Sequence, residues 1–97
     1  MHKTITTVTI ANADPATLRD SASSRFGGCT VTPALGGWYD KGETYNEPAV
    51  VVSVIHEGKR EAIEAWAREQ GRILGERVVV VEHRDWHGRF IPTGGAW

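Results

Sequence analysis

The stretch AVVVSVIHEGKREAIEAWAREQGRILG, residues 49–75, decides the fold. Its first part, Ala49 to His56, is a strand. Val50, Val52 and Val54 point one way; Val51, Ser53 and Ile55 point the other. β-branched residues suit a pleated surface, and apolar residues on both faces place this strand inside a sheet. Its second part changes period. Ile63, Trp66, Ala67, Gln70 and Leu74 share one face of a helix over Lys59 to Leu74. Glu61, Glu64, Arg68 and Glu69 lie largely away from that face, and Glu64 and Arg68 are spaced to pair at i,i+4. Gly71 is a soft point, and Gly75 is the expected stop.

Working back toward the N-terminus, Asp40-Lys41-Gly42 is a hairpin signal, with Gly42 able to supply the positive φ of a bulged turn. Before it, Cys29 to Tyr39 reads as a strand interrupted near Pro33 and again at Gly36-Gly37. Proline inside a strand indicates an edge or a bulge. Asp14-Pro15 opens a helix: Asp14 can accept from free amides, and proline at the first helical position loses no hydrogen bond. Leu18, Ala22 and Phe26 form its narrow apolar stripe, and Gly27-Gly28 ends it. Thr4 to Ala11 is a β-branched strand. Toward the C-terminus, Val78 to Val81 is a strand that runs on through Glu82-His83-Arg84-Asp85-Trp86-His87. The tail from Gly88 to Trp97 is expected to be a fifth edge strand, an arm on a partner subunit, or frayed.

The resulting order, β-α-β-β-α-β, is the ferredoxin-like α+β arrangement, a four-stranded antiparallel sheet with two helices on one face. The chain of 97 residues fits one domain, residues 1–97. The other sheet face is left open. Because large exposed apolar patches are rare, a second copy of the chain is the expected cover, so a homo-oligomer, a dimer or larger, is expected.

Composition narrows the function classes. Eleven basic residues balance twelve acidic ones, for a net charge of −1. This balance argues against nucleic acid or an anionic membrane as the partner. The single cysteine, Cys29, excludes an intrachain disulfide. No apolar run approaches a bilayer span, and residues 1–5 lack a signal-peptide core, so a cytoplasmic protein is expected.

Several motifs carry a family resemblance: Phe26-Gly27-Gly28-Cys29-Thr30-Val31, then Gly36-Gly37-Trp38, then Glu47-Pro48 before the valine strand. With Leu74-Gly75 before Val78-Val79-Val80-Val81, they resemble small bacterial and phage proteins of ferredoxin-like, PII-related fold. The resemblance covers roughly residues 14 to 83. It implies the fold and brings no catalytic residues or cofactor with it. PII proteins proper bind nucleotides between subunits and carry a long loop between their second and third strands. Here that connection is a short hairpin.

Chemistry-bearing residues gather in three places. Trp38, Tyr39, Lys41 and Tyr45 crowd the hairpin, where they can stack on a ring and hold a phosphate, or simply form a cross-strand aromatic pair. Arg84, Trp86, His87 and Arg89 gather at the end of the last strand, where they can hold an anion. A metal site at His83, Asp85 and His87 is disfavoured, because His83 and His87 stand about 13 Å apart in an extended strand. His56 ends the central strand and, with Tyr39, His83 and Asp85, could supply acid and base groups if the fold brought them together. Cys29 reads as a small buried hydrophobe. The glycine pairs match neither a phosphate loop nor a dinucleotide fingerprint.

These observations favour a non-catalytic, oligomeric binding protein for a small anionic or nucleotide-like ligand at a subunit interface. The expected ligand residues are Trp38, Tyr39, Lys41, Tyr45, Arg84, Trp86, His87 and Arg89, with no metal, cofactor or catalytic residue assigned. One alternative is a small dimeric enzyme using His56 and His83. Another is a protein–protein adaptor or inhibitor acting through the 38–45 hairpin or the tail.

Overall fold

The computed structural model describes residues 2–96; Met1 and the last residue of the tail, Trp97, lie outside them. The elements run β1 (Lys3–Ala11), α1 (Pro15–Phe26), β2 (Thr30–Asp40), β3 (Glu43–His56), α2 (Arg60–Ile73) and β4 (Val80–Trp86). The sheet is antiparallel with order β2-β3-β1-β4. This is the ferredoxin-like α+β fold.

Strand alternation sets the core. Val8 and Ile10 on β1 and Val50, Val52 and Val54 on β3 turn inward and are buried under Leu18 and Ala22 of α1 and Ile63, Trp66 and Ala67 of α2. Both helices therefore cover one face. Trp66 ties them together: its indole N–H donates to Ser21 Oγ at 2.9 Å, and Phe26 meets it edge-on at 5.8 Å. The α1 ends follow the sequence reading. Asp14 Oδ2 accepts from the Thr17 amide at 2.9 Å, and Gly27 closes the helix at φ 89. Those Thr17 hydrogen bonds hold the Asp14 carboxyl below its usual range.

The sequence reading needs four corrections. First, β2 is continuous. Pro33 pairs with Val50 without a break, because β2 is an edge strand and its other side needs no donor. Second, the β2–β3 turn carries no bulge. Asp40 pairs with Glu43, and Lys41 (φ 51) and Gly42 (φ 82) both take positive φ, which makes a two-residue type I′ connection. Third, β3 begins at Glu43 rather than Ala49, so residues 35–48 form a two-stranded ribbon beyond the last β1 pairing at Ala11↔Ala49. Six paired steps carry this ribbon roughly 20 Å past the sheet. Fourth, Leu74 is 41% exposed, and the place read for it is taken by Gly71, which is buried against Val79. A Cβ at Gly71 would stand 2.6 Å from Val79 Cγ1, so the missing side chain lets the approach to β4 pass close to α2.

The open face of the sheet is partly covered by the chain itself. Trp86 packs against Phe90 with ring centroids 5.2 Å apart, and Lys3 lies 5.6 Å from the Phe90 ring centre. Phe90 also lines a cavity with Ser53, Ile55 and Cys29, so the tail crosses from β4 toward the start of β2.

Candidate functional site

Two polar clusters stand out, and they sit at opposite ends of the sheet.

The first lies on the inner face, at the β3 end. Thr6 (β1), His56 (β3) and His83 (β4) face inward on three neighbouring strands, because Thr6 pairs with Val54 in one register and with His83 in the other. Thr6 Oγ1 is 2.7 Å from His56 Nε2 and 2.7 Å from His83 Nδ1. His83 Nε2 is 2.6 Å from Glu64 Oε2 on α2. Glu64 therefore meets His83 and not Arg68, because the strand below it presents an imidazole where the helix alone offered only its own surface. The Lys59 amide donates to His56 Nδ1 at 3.1 Å.

That amide sets the His56 tautomer. An N–H can only donate, so His56 Nδ1 is the bare nitrogen and His56 Nε2–H donates to Thr6. Thr6 Oγ1 is also bonded to His83 Nδ1, and His83 Nε2 to Glu64 Oε2. Five groups form one connected series that ends on a carboxylate. Burial, with His83, Arg60 and Lys59 adding to it, pulls the His56 imidazole below its ordinary range.

Hydroxyl, imidazole and carboxylate in sequence have the connectivity of a nucleophilic triad. Access is what they lack. Thr6 is 0% exposed and His56 is 5% exposed. Neither histidine lines any of the surface grooves found among the described residues. The histidines do converge, but on a sealed hydroxyl.

The second cluster lies where the ribbon leaves the sheet. A groove of about 760 Å³ is lined by Trp38, Glu47, Gly75, Glu76, Arg77 and Val78. Trp38 stacks on Tyr45 across the ribbon, with centroids 4.4 Å apart and planes at 17°. Its indole N–H donates to Glu47 Oε1 at 2.8 Å. Asn12 holds both acids: its side-chain amide donates to Glu47 Oε2 at 3.2 Å and to Glu76 Oε1 at 2.8 Å. Asn12 takes φ 59, a left-handed conformation that asparagine tolerates better than most residues, and its own amide donates to Pro48 O at 2.8 Å. An aromatic wall, two fixed carboxylates and one guanidinium thus face open space. Such a surface can stack a planar ring and accept hydrogen bonds from sugar hydroxyls.

Of the ligand residues expected from sequence, only Trp38 lines this groove. Tyr45 backs it through the stack and donates its hydroxyl to Glu43 at 3.0 Å. Tyr39 and Lys41 sit at the exposed ribbon tip. Arg84 and Trp86 pair with Ile5 and Lys3 at the start of β1, and His87 and Arg89 follow just beyond, all at the end of the sheet opposite the ribbon. There Arg84 meets Glu82 at 3.4 Å, and Trp86 is engaged with Phe90. One chain therefore does not bring the two sets together. Asp85 is taken by His2 at 2.9 Å, which also holds its carboxyl below the usual range. Cys29 is half-buried, with its sulfur 3.3 Å from Ser23 Oγ. Asn12, Glu47, Glu76 and Arg77 were missed as site residues. The sequence offers Glu47-Pro48 only as part of a family resemblance, and positions 12, 47 and 76 become neighbours only when β1, β3 and the α2–β4 loop meet.

No family model and no curated protein matches the chain. Solved structures do. CutA1 from Oryza sativa superposes with TM-score 0.62 at 14% identity, over 93% of this chain and 84% of that one. CutA from Synechococcus elongatus gives 0.61 at 11% identity, over 87% and 76%. A phage SAM lyase in complex with S-methyl-5'-thioadenosine gives 0.59 at 10% identity, over 86% and 81%. The likeness is one of fold. It supports the ferredoxin-like reading of the sequence. No helix among the described residues is long and apolar enough to cross a membrane.

Proposed function

We propose that this chain is an oligomeric binding protein that takes a small nucleotide-like ligand in the groove at the base of the ribbon. The observation that carries the reading is the Trp38 wall beside the Glu47 and Glu76 carboxylates, held by Asn12. About 760 Å³ is within the usual range for a small-molecule site. Trp38 stacks the base, the acids take ribose hydroxyls, and Arg77 takes an anionic substituent. The bound S-methyl-5'-thioadenosine of the phage SAM lyase supports a nucleoside-type ligand on this fold.

Oligomerisation completes the site. The ribbon carries exposed Leu35 and Tyr39, a surface suited to a second copy. Ribbon residues Tyr39 and Lys41 of one copy and the Arg84, Trp86, His87 and Arg89 end of another meet only between chains. The test is thermal shift with adenosine, AMP and S-methyl-5'-thioadenosine at millimolar concentration, alongside light scattering. Stabilisation by at least one of them, absent in Trp38→Ala, and a mass that is a multiple of 10.6 kDa are expected. No stabilisation by any of the three ligands removes the proposal.

The likeness to a lyase favours a second reading, turnover of a ligand in the same groove. It would fall to Glu47 or Glu76, because His56 and Thr6 are sealed. Chromatography of S-adenosylmethionine incubated with the protein separates the two readings: unchanged substrate leaves binding alone.

A further inference from the structure

The buried series of hydrogen bonds has one weak point. Helix α2 has Lys59 at its N-cap, whose side chain caps nothing. What its amide finds is His56 Nδ1, from the strand just before it. The first turn of α2 is thus fastened to the sheet through a titratable nitrogen. If that nitrogen takes a proton, two N–H groups face each other at 3.1 Å, and the bond becomes a repulsion.

We propose that His56 is a pH-sensitive latch that fastens the start of α2 to the end of β3 when neutral and releases it when protonated. The charges around it reinforce release. From the α2 side, Lys59 and Arg60 face it; the Arg60 guanidinium also reaches Thr4 Oγ1 of β1 at 3.4 Å. From β4, His83 faces it across Thr6, and Asp85 stands beside Thr4 in register but is occupied by His2. Beside the loop that follows β3, Glu57 is occupied by Lys3 at 3.5 Å. Glu64 reaches only the far nitrogen of His83. Among the described residues no carboxylate is hydrogen-bonded to His56.

The sign follows. The folded-state imidazole is held below the ordinary value of about 6.5. The unfolded chain therefore takes up the proton first. The latch contributes fully above about pH 6.5, and its contribution falls as pH drops below that value. This holds whatever the ribbon groove binds.

The test is an NMR titration of the full chain, following the four histidine rings and the Lys59 and Ile63 amides, with hydrogen exchange at pH 7.5 and 5. His56 should titrate below the ordinary histidine value. The Lys59 amide shift should follow the His56 midpoint. Protection at Lys59 and Ile63, corrected for intrinsic exchange, should drop about tenfold at pH 5, while Val8 and Val52 stay protected. His56→Asn keeps an acceptor near the Nδ1 position and cannot titrate, so its Lys59 protection should be equal at both pH values. Equal wild-type protection at both values overturns the latch, and so does a Lys59 shift that ignores the His56 midpoint. Both readouts use the unmodified protein and stand even if the variant does not fold.

Discussion

The two polar clusters of this protein contain similar groups and differ in access. At the β3 end, Glu64, His83, Thr6 and His56 are matched donor to acceptor, and the central hydroxyl is fully buried. At the ribbon end, Trp38, Glu47, Asn12 and Glu76 are also hydrogen-bonded together, yet their outer surfaces border a groove. Reactive residue types alone therefore mislead. Histidines and a threonine in line suggest chemistry, but with Thr6 and His56 sealed the series holds strands to a helix. Two surface glutamates suggest nothing in sequence, but an asparagine fixes them beside an indole.

The comparison breaks most readily at its buried side. Thr6→Val keeps the shape and removes the hydroxyl, leaving His56 Nε2–H and His83 Nδ1 without their partner. A loss of about 2–4 kcal/mol in urea unfolding is expected, because each buried unmatched group costs roughly 1–3 kcal/mol. Ligand-induced stabilisation at the groove should survive in this variant. A loss under about 0.5 kcal/mol would mean the series is ornamental to stability.

The ribbon side should behave in the opposite way. Trp38→Ala removes the Tyr45 stack and the hydrogen bond to Glu47, both on a ribbon outside the core. We expect about 1 kcal/mol of stability lost. Nucleoside binding should weaken at least tenfold by calorimetry. Unchanged affinity would place the ligand elsewhere.

The smallest effect concerns the tail, which belongs to neither cluster. A Cβ at Gly88 would collide with the Trp86 indole, the ring that packs on Phe90. Gly88→Ala should move Trp86 and shift its fluorescence, with a stability change under about 1 kcal/mol. Both clusters should keep their behaviour. An unchanged spectrum would show that the tail does not pack on Trp86 in solution.

Much of the fold was legible in the chain. The valine alternation of residues 50–54 marks a central strand, and the spacing of Ile63, Trp66 and Ala67 marks the buried face of α2. Asp14-Pro15 and Gly27 mark both ends of α1. These are local signals: each depends on residues within one or two turns or steps of one another. The ribbon was shorter in the reading than in the structure, because residues 43–48 are polar and carry no buried face to give a period. Their strand state comes from cross-strand pairing, which a single segment does not display.

The sites were less legible for the same reason. Trp38 was visible as an exposed aromatic beside a turn. That His56 and His83 converge, and converge on Thr6, depends on the registers Thr6↔His83 and Thr4↔His56 between strands fifty or more residues apart. Sequence by itself determined the elements, their order and so the ferredoxin-like fold, because helical and strand periods and caps are written over short distances. Only the tertiary structure decided which polar groups are sealed and which face a groove. Access is a property of what lies on top of a residue, and here the covering atoms come from the other end of the chain.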